Sequence, residues 1–265
     1  MKNGASVAQL EQPLVNVSSI AKPKKWVVRL LKVLSIVGVS LVALFFVAHS
    51  TWKFSGSNQW EFEFEKNGVK VYSLKAPGMD RIQIKGVVQA RSTLSHVVRY
   101  NQDPTVCALS GCIESRVIER VDDQVQYNTF RYNFPYPYKP REYVVRAQFH
   151  QDPRTKEVFL VYAAAPDKLP PNSCCFRVTD MNNTWRFTPL ENGVIEVEQV
   201  LNMSEGTFMP DWWVKREKLE SMAARLSKLQ DRWDKRKYQD EKFDFIIEKG
   251  SDLTSHNTQA GATGK

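Results

Sequence analysis

The side chains able to do chemistry are few and scattered. Four histidines stand far apart: His49, His96, His150 and His256. His96 reads as part of a surface helix and His150 as the outward face of a strand, so neither sits beside an acid or a nucleophile for proton transfer. The chain has no G-x-S-x-G, no phosphate loop, no H-E-x-x-H and no dinucleotide fingerprint. Its four cysteines allow three pairings or none. Cys107 and Cys112 are close enough to bridge through a loop. Cys174 and Cys175 fall on a strand candidate, where neighbours point to opposite faces, which argues against a bond between them. Without a second C-x-x-C or a histidine pair, no metal is expected, and no cofactor either. Arg141 is the informative polar residue. Alternation puts it at the inward end of its strand, where a guanidinium needs a partner or a ligand headgroup. The alternative is a salt bridge that braces the turn, near Glu142 or to Asp167.

The elements around these residues begin with an apolar one. From Val33 to Ala48 the chain runs VLSIVGVSLVALFFVA without a charge. Extended back to Trp26 the stretch reaches about 34 Å at ~1.5 Å per residue, enough to cross a bilayer if Arg29 and Lys32 reach for the headgroups. Trp26 and Trp52 flank it as interfacial aromatics. Residues 1–32 hold six Lys/Arg against one acid, while the remainder has 31 basic and 28 acidic side chains. The net charge of +8 is thus mostly a flank of the apolar stretch. The basic side points to the cytoplasm, which exports the domain on the C-terminal side. A buried core helix fits poorly with that flank. A signal peptide cleaved near Ser50 is the rival, and both readings export the domain, to the periplasm in a bacterium. So little charge on the domain itself leaves nucleic acid out as a partner. At 42% hydrophobic and 11% aromatic, the chain is neither disordered nor collagen-like.

Alternating segments come next at 69–72 and 82–88, split by Pro77-Gly78. Ser92 or Thr93 caps a helix running to about Gln102. Strand candidates come at 117–121, 125–134, 142–150, 157–164 and 175–179. A hairpin then joins Thr184–Pro189 to Val194–Leu201 through Glu191-Asn192-Gly193. Beyond Pro210, Leu219, Met222, Ala223, Leu226, Leu229 and Trp233 share one helical stripe, with Lys215, Arg216, Lys218, Arg225, Lys228 and Arg232 elsewhere. The layout is a short helix, two strands, a helix, many antiparallel strands and one long amphipathic helix. The expected division is a flexible arm over 1–25, a transmembrane helix over 26–48, a linker over 49–57, a domain over 58–238 and a mostly disordered tail over 239–265.

Five patterns in this order carry a resemblance: Asn67-Gly68-Val69-Lys70-Val71-Tyr72; Pro135-Tyr136-Pro137 with Pro140-Arg141-Glu142-Tyr143-Val144 after it; Asp167-Lys168-Leu169-Pro170-Pro171; Trp185-Arg186-Phe187-Thr188-Pro189; and Pro210-Asp211-Trp212. Together they resemble START domains, the steroidogenic-acute-regulatory-related lipid transfer family, in its bacterial branch. The resemblance covers roughly residues 58–235. It implies an α+β helix-grip fold, a curved antiparallel sheet around a long C-terminal helix with an apolar tunnel between them. Cys112 falls where bacterial members often have a cysteine in a core helix, so a buried free thiol is also open. Sterol-carrying animal members pair a buried base with a buried acid. Here the acid's place falls near Asn128 and the base's near Ala147, which disfavours sterol and leaves phospholipid or another acyl lipid.

The resemblance and the alternation together give the expected cavity residues: Asn128, Phe130, Tyr132, Arg141, Tyr143, Val145, Ala147, Trp185, Phe187 and Val197. For any single one of them plain core is the safer reading, and the cavity wall is expected of the set. Trp212, Trp213, Leu219, Met222 and Leu226 are the expected lid and membrane contacts. The function expected is a membrane-tethered lipid carrier, with no catalytic residues. Its partners are lipid and membrane, and its oligomeric state is not encoded legibly. The alternatives are a cyclase-like or hydrolase-like enzyme on the same fold, a sensor of lipid occupancy, and a purely structural role.

Overall fold

In a computed structural model the described residues are 24–249, apart from 80, 205, 207–210, 235–237 and 239 and the side chain of Trp213. The expected N-terminal arm up to residue 23, and the expected tail from residue 250, lie outside them. Residues 1–48 and 49–265 form two units. The first carries most of α1 (Lys25–Phe54), whose apolar side chains from Val28 to Val47 are exposed. This helix is long and apolar enough to cross a membrane. Its last turn belongs to the second unit and is not the expected linker. Trp52 packs on the core there, and Lys75 lies 4.6 Å from its ring centre while donating to the Lys53 carbonyl at 2.9 Å.

Among the described residues ten strands make one sheet: β1 (Glu61–Lys66), β2 (Val69–Leu74), β3 (Gln83–Arg91), β4 (Glu114–Arg120), β5 (Val125–Tyr132), β6 (Arg141–Gln151), β7 (Val158–Ala164), β8 (Phe176–Val178), β9 (Asn182–Pro189) and β10 (Val194–Leu201). Their order is β1-β2-β3-β10-β9-β7-β6-β5-β4, antiparallel throughout, with β8 pairing parallel to β6. The short helix expected before the strands is instead β1, because the Glu-Phe alternation of residues 61–65 has a period of two. Asn67-Gly68 turns β1 into β2, and Asn192-Gly193 turns β9 into β10. All four residues have the positive φ that such hairpins require.

Helix α2 (Leu94–Gln102) is capped twice. The Thr93 hydroxyl accepts from His96 N at 3.2 Å. The Glu248 carboxylate accepts from Leu94 N and Ser95 N at 2.9 and 2.8 Å, a charge-assisted pair at the positive end of the helix. Glu248 belongs to a segment expected to be tail. Residues 240–249 instead dock on the domain, with Ile246 buried in the cluster that holds Leu94, Val97 and Val98. This cover also overturns the placing of His96 on a surface: it is 4% exposed, against the rings of Trp233 and Tyr238.

The C-terminal stripe forms two helices, α3 (Asp211–Leu226) and α4 (Leu229–Trp233), broken at Ser227–Lys228. Leu219, Met222, Ala223 and Leu226 bury themselves against Val69, Val71, Ile82 and Ile84. Each large apolar side chain contributes on the order of 2 kcal/mol. The exposed pair Arg216–Glu220 on the outer face is worth only about 0.3–0.5 kcal/mol, so burial decides the helix's position.

Both cysteine pairs are disulfides. Cys107–Cys112 ties the middle of the 3-10 turn Pro104–Ser110 to the residue just past its Gly111 cap. The bond between Cys174 and Cys175 contradicts the expectation, because β8 starts only at Phe176 and both cysteines lie in the preceding turn, where strand alternation does not apply.

Where β7 leaves the sheet, β8 takes its place beside β6, and Arg177 ties the junction. Its Nε and Nη2 donate to Glu142 at 2.9 and 2.7 Å. Nη1 donates to the carbonyls of Pro166 and Leu169, and Nη2 also to that of Pro170, at 2.6–2.9 Å. Removing one member of a buried pair leaves the other charge uncompensated. Arg177→Met is therefore expected to cost about 3 kcal/mol in chemical denaturation of the full chain, and adding Glu142→Gln should recover part of that loss.

His96 makes a second prediction. Burial lowers its pKa, so between that value and the ordinary ~6.5 the unfolded chain holds the proton and the folded one does not. Stability should fall as pH drops through about 6.5. His96→Gln, neutral throughout, should lose less between pH 7 and 5 in parallel thermal melts.

Candidate functional site

Between the sheet and the C-terminal helices lies a cavity of about 410 Å³, within the roughly 300–1,000 Å³ range of small-molecule sites. Strand alternation builds its floor. Asn128, Phe130 and Tyr132 share one face of β5, and their partners across the ladder are Val145, Tyr143 and Arg141. Phe130 stacks on Tyr143 at 5.0 Å, and Tyr132 meets Tyr143 edge-on at 5.8 Å. Tyr162, Asn183, Trp185, Gln199 and Leu201 extend the wall along β7, β9 and β10, with Met181 and Met203 beside them. The turn after α2, including Val106 and Cys107, closes one side, and α3 and α4 contribute Arg225, Leu226, Leu229 and Arg232.

Of the expected cavity residues, Asn128, Phe130, Tyr132, Tyr143 and Trp185 come together on this wall, as does Leu226 of the expected lid. Ala147, Phe187 and Val197 share the inward face but lie where α2 and α4 pack directly on the sheet, so they are solid core. Val145 is sealed in a cluster with Tyr143, Val178 and Met181. Leu219 and Met222 press on β2 and β3 and do not reach the cavity. Trp212 is partly exposed near the start of α3, and the Trp213 side chain lies outside the described residues.

Arg141 does not line the cavity. It is buried, and its guanidinium sits 4.4 Å from the Phe134 ring centre and 4.8 Å from that of Phe176. It donates to the carbonyls of Lys139 and Gly206 at 2.6 and 3.4 Å. Ring faces and carbonyls thus hold it as a brace between loops, while Glu142 is taken by Arg177.

The cavity's cations come instead from Arg225 and Arg232, which the helical stripe assigns elsewhere. Arg225 Nη2 donates to Gln199 Oε1 at 3.0 Å, and Arg232 Nη2 to the Leu109 carbonyl at 2.9 Å. Arg225 Nε is buried with no partner among the described residues. Burial lowers the pKa of Arg225; Tyr132 counteracts this and the charge of Arg232 adds to it. Burial raises the Tyr132 phenol, with both arginines pulling it back. Tyr162 is pushed up by its burial as well. Among the described residues the one carboxylate on the wall is Asp103, which accepts from Thr105 N at 2.8 Å and from the Tyr238 hydroxyl. No sequence signal marks Arg225 or Arg232, since each is simply the neighbour of a stripe residue.

No family model and no curated protein matches the sequence. Solved structures do match. A STAR-related lipid transfer protein fragment from Xanthomonas axonopodis is 20% identical, with a TM-score of 0.60, over 66% of this chain and 99% of that one. The human StarD13 (DLC2) lipid transfer and protein localization domain is 16% identical, TM-score 0.58, over 73% and 95%. Human StAR-related lipid transfer protein 5 is 15% identical, TM-score 0.55, over 74% and 97%. The fold is the helix-grip fold of START domains.

Gly86 on β3 lets α3 approach. A Cβ there would stand 2.5 Å from Leu226 Cδ1 and 2.8 Å from Met222 Cγ. Gly86→Val should lift α3 at a cost of about 1–3 kcal/mol, read as a lower melting temperature and faster protease cleavage within 211–226.

Proposed function

We propose that this START-fold chain is a membrane-tethered lipid-binding protein. It holds one hydrophobic ligand in the cavity under α3 and α4, which serve as its lid. The observation that carries this reading is the wall itself: stacked rings and thioethers broken by a few fixed polar groups, enclosed by α3 and α4. Lipid transfer is part of the names of the START-fold structures it resembles. Burying a sixteen-carbon chain contributes on the order of 12 kcal/mol before ordering costs, at ~0.8 kcal/mol per CH₂. The bilayer interior supplies a similar term, so exchange between bilayer and cavity lies near balance, and the same burial keeps the loaded chain out of water in transit.

The apolar helix α1 supports the tether, and its basic N-terminal flank supports a cytoplasmic N-terminus with the domain exported. Cleavage near Ser50 would release the same domain instead. Trp212 supports a role for the start of α3 at the membrane interface. The carrier is stoichiometric, not catalytic. His96 is enclosed by rings in the core, and the carboxylate of Asp103 on the cavity wall is already held by Thr105 and Tyr238.

Native mass spectrometry of the full chain, extracted gently from its own host, should find one lipid per protein. Ser115 lines the cavity from β4. Ser115→Trp should reduce that occupancy at least tenfold while the melting temperature stays within a few degrees of the parent. A chain that remains empty after incubation with liposomes would sink the carrier reading.

A further inference from the structure

The cavity's charge is out of balance. Two guanidiniums line it, and among the described residues their polar partners are an amide and a carbonyl, with no carboxylate in an ion pair with either. Asp103, the acid on the wall, is committed to Thr105 and Tyr238. Arg225 has Gln199 on Nη2, but its Nε is buried and unpartnered. Arg232 is held by a carbonyl. Burying a cation without a counter-charge is costly, and placing two on one wall adds repulsion. A guanidinium also presents parallel N–H groups that match a carboxylate or phosphate.

We propose that Arg225 and Arg232 form an anion-recognition site inside the cavity, and that it takes the acidic headgroup, carboxylate or phosphate, of a lipid whose chain lies along the aromatic wall. This rests on the carrier reading and narrows it to acidic amphiphiles. The Tyr132 hydroxyl adds a donor that stays protonated at neutral pH, since burial raises its pKa. Both arginines come from the helices that close the cavity, so an anionic headgroup bridges lid and sheet. Its arrival neutralises the charge that disfavours closure of the empty form.

The test uses the full chain in neutral detergent and three probes: a fluorescent polyene fatty acid, its methyl ester, and inorganic phosphate. The acid should bind at least tenfold more tightly than the ester. Arg225→Met and Arg232→Met should each weaken the acid about tenfold or more and leave the ester within about threefold, while Arg225→Lys should restore part of the loss. The empty Arg225→Met protein should melt no lower than the parent, because an uncompensated buried charge has been removed; this separates lost recognition from lost folding. Equal affinity for acid and ester, or equal loss of both in the variants, overturns the anion site and leaves lipid carriage intact. Failure of both acid and ester to bind the parent overturns carriage itself. Inorganic phosphate that competes with the acid at micromolar concentration overturns the headgroup assignment in favour of a free anion.

Discussion

One guanidinium joins stretches of chain that the sheet's own ladder leaves apart. Arg177 on β8 spends its N–H groups on the Glu142 carboxylate of β6 and on three carbonyls between Pro166 and Pro170. The location matters more than the number of bonds. β7 pairs with β6 only as far as Val145, and β8 takes over at Arg141–Tyr143. Without a clamp, the end of β6 would have an open edge where it must present Tyr143 and the Phe130 stack to the cavity. The ion pair faces away from the cavity, so the polar fixture and the apolar wall occupy opposite sides of one strand.

A second constraint is that the interior is not uniformly apolar. The wall mixes stacked rings with asparagines, a glutamine and two arginines, and most of these polar groups are held by the protein itself. Asn128 accepts from Gln126, and Asn183 accepts from Asn202 N at 2.7 Å. Fixed polar groups cost little to bury and give a ligand orientation as well as shelter. That satisfaction is incomplete at the Arg225 Nε and the Tyr100 hydroxyl, both buried on this wall without a hydrogen-bond partner among the described residues.

Much of the sheet was legible in the sequence, because a strand with one buried face prints its period on the chain. β6 and the β9–β10 hairpin fall within a residue or two of their expected limits, and Asn192-Gly193 turns as its residue types require. The α2 cap at Thr93 was readable for the same local reason. What stayed hidden depends on distant contacts. Residues 240–249 look polar and aperiodic, yet Glu248 and Ile246 find partners around residue 95. Together with Trp233 and Tyr238, whose rings enclose His96, they make a core helix of an apparent surface one. The same limit governs the cavity. Arg225 and Arg232 adjoin buried stripe residues, and only the break at Ser227–Lys228 and the hollow beneath it turn them inward. Arg141 shows the converse, since correct strand parity did not foresee that ring faces would claim it first.

The long-range closures also set an order of events during synthesis. β3 finds its second neighbour only in β10, about a hundred residues later, and the N-terminus of α2 waits for Glu248. Until that length has emerged, the β1–β3 meander has an unpaired edge and α2 has its apolar face uncovered. A chain fed outward from its N-terminus, whether by the ribosome or across a membrane, therefore remains a substrate for holding chaperones until its last segment docks. Completion of the fold would thus be decided by residues 240–249, which do not line the cavity.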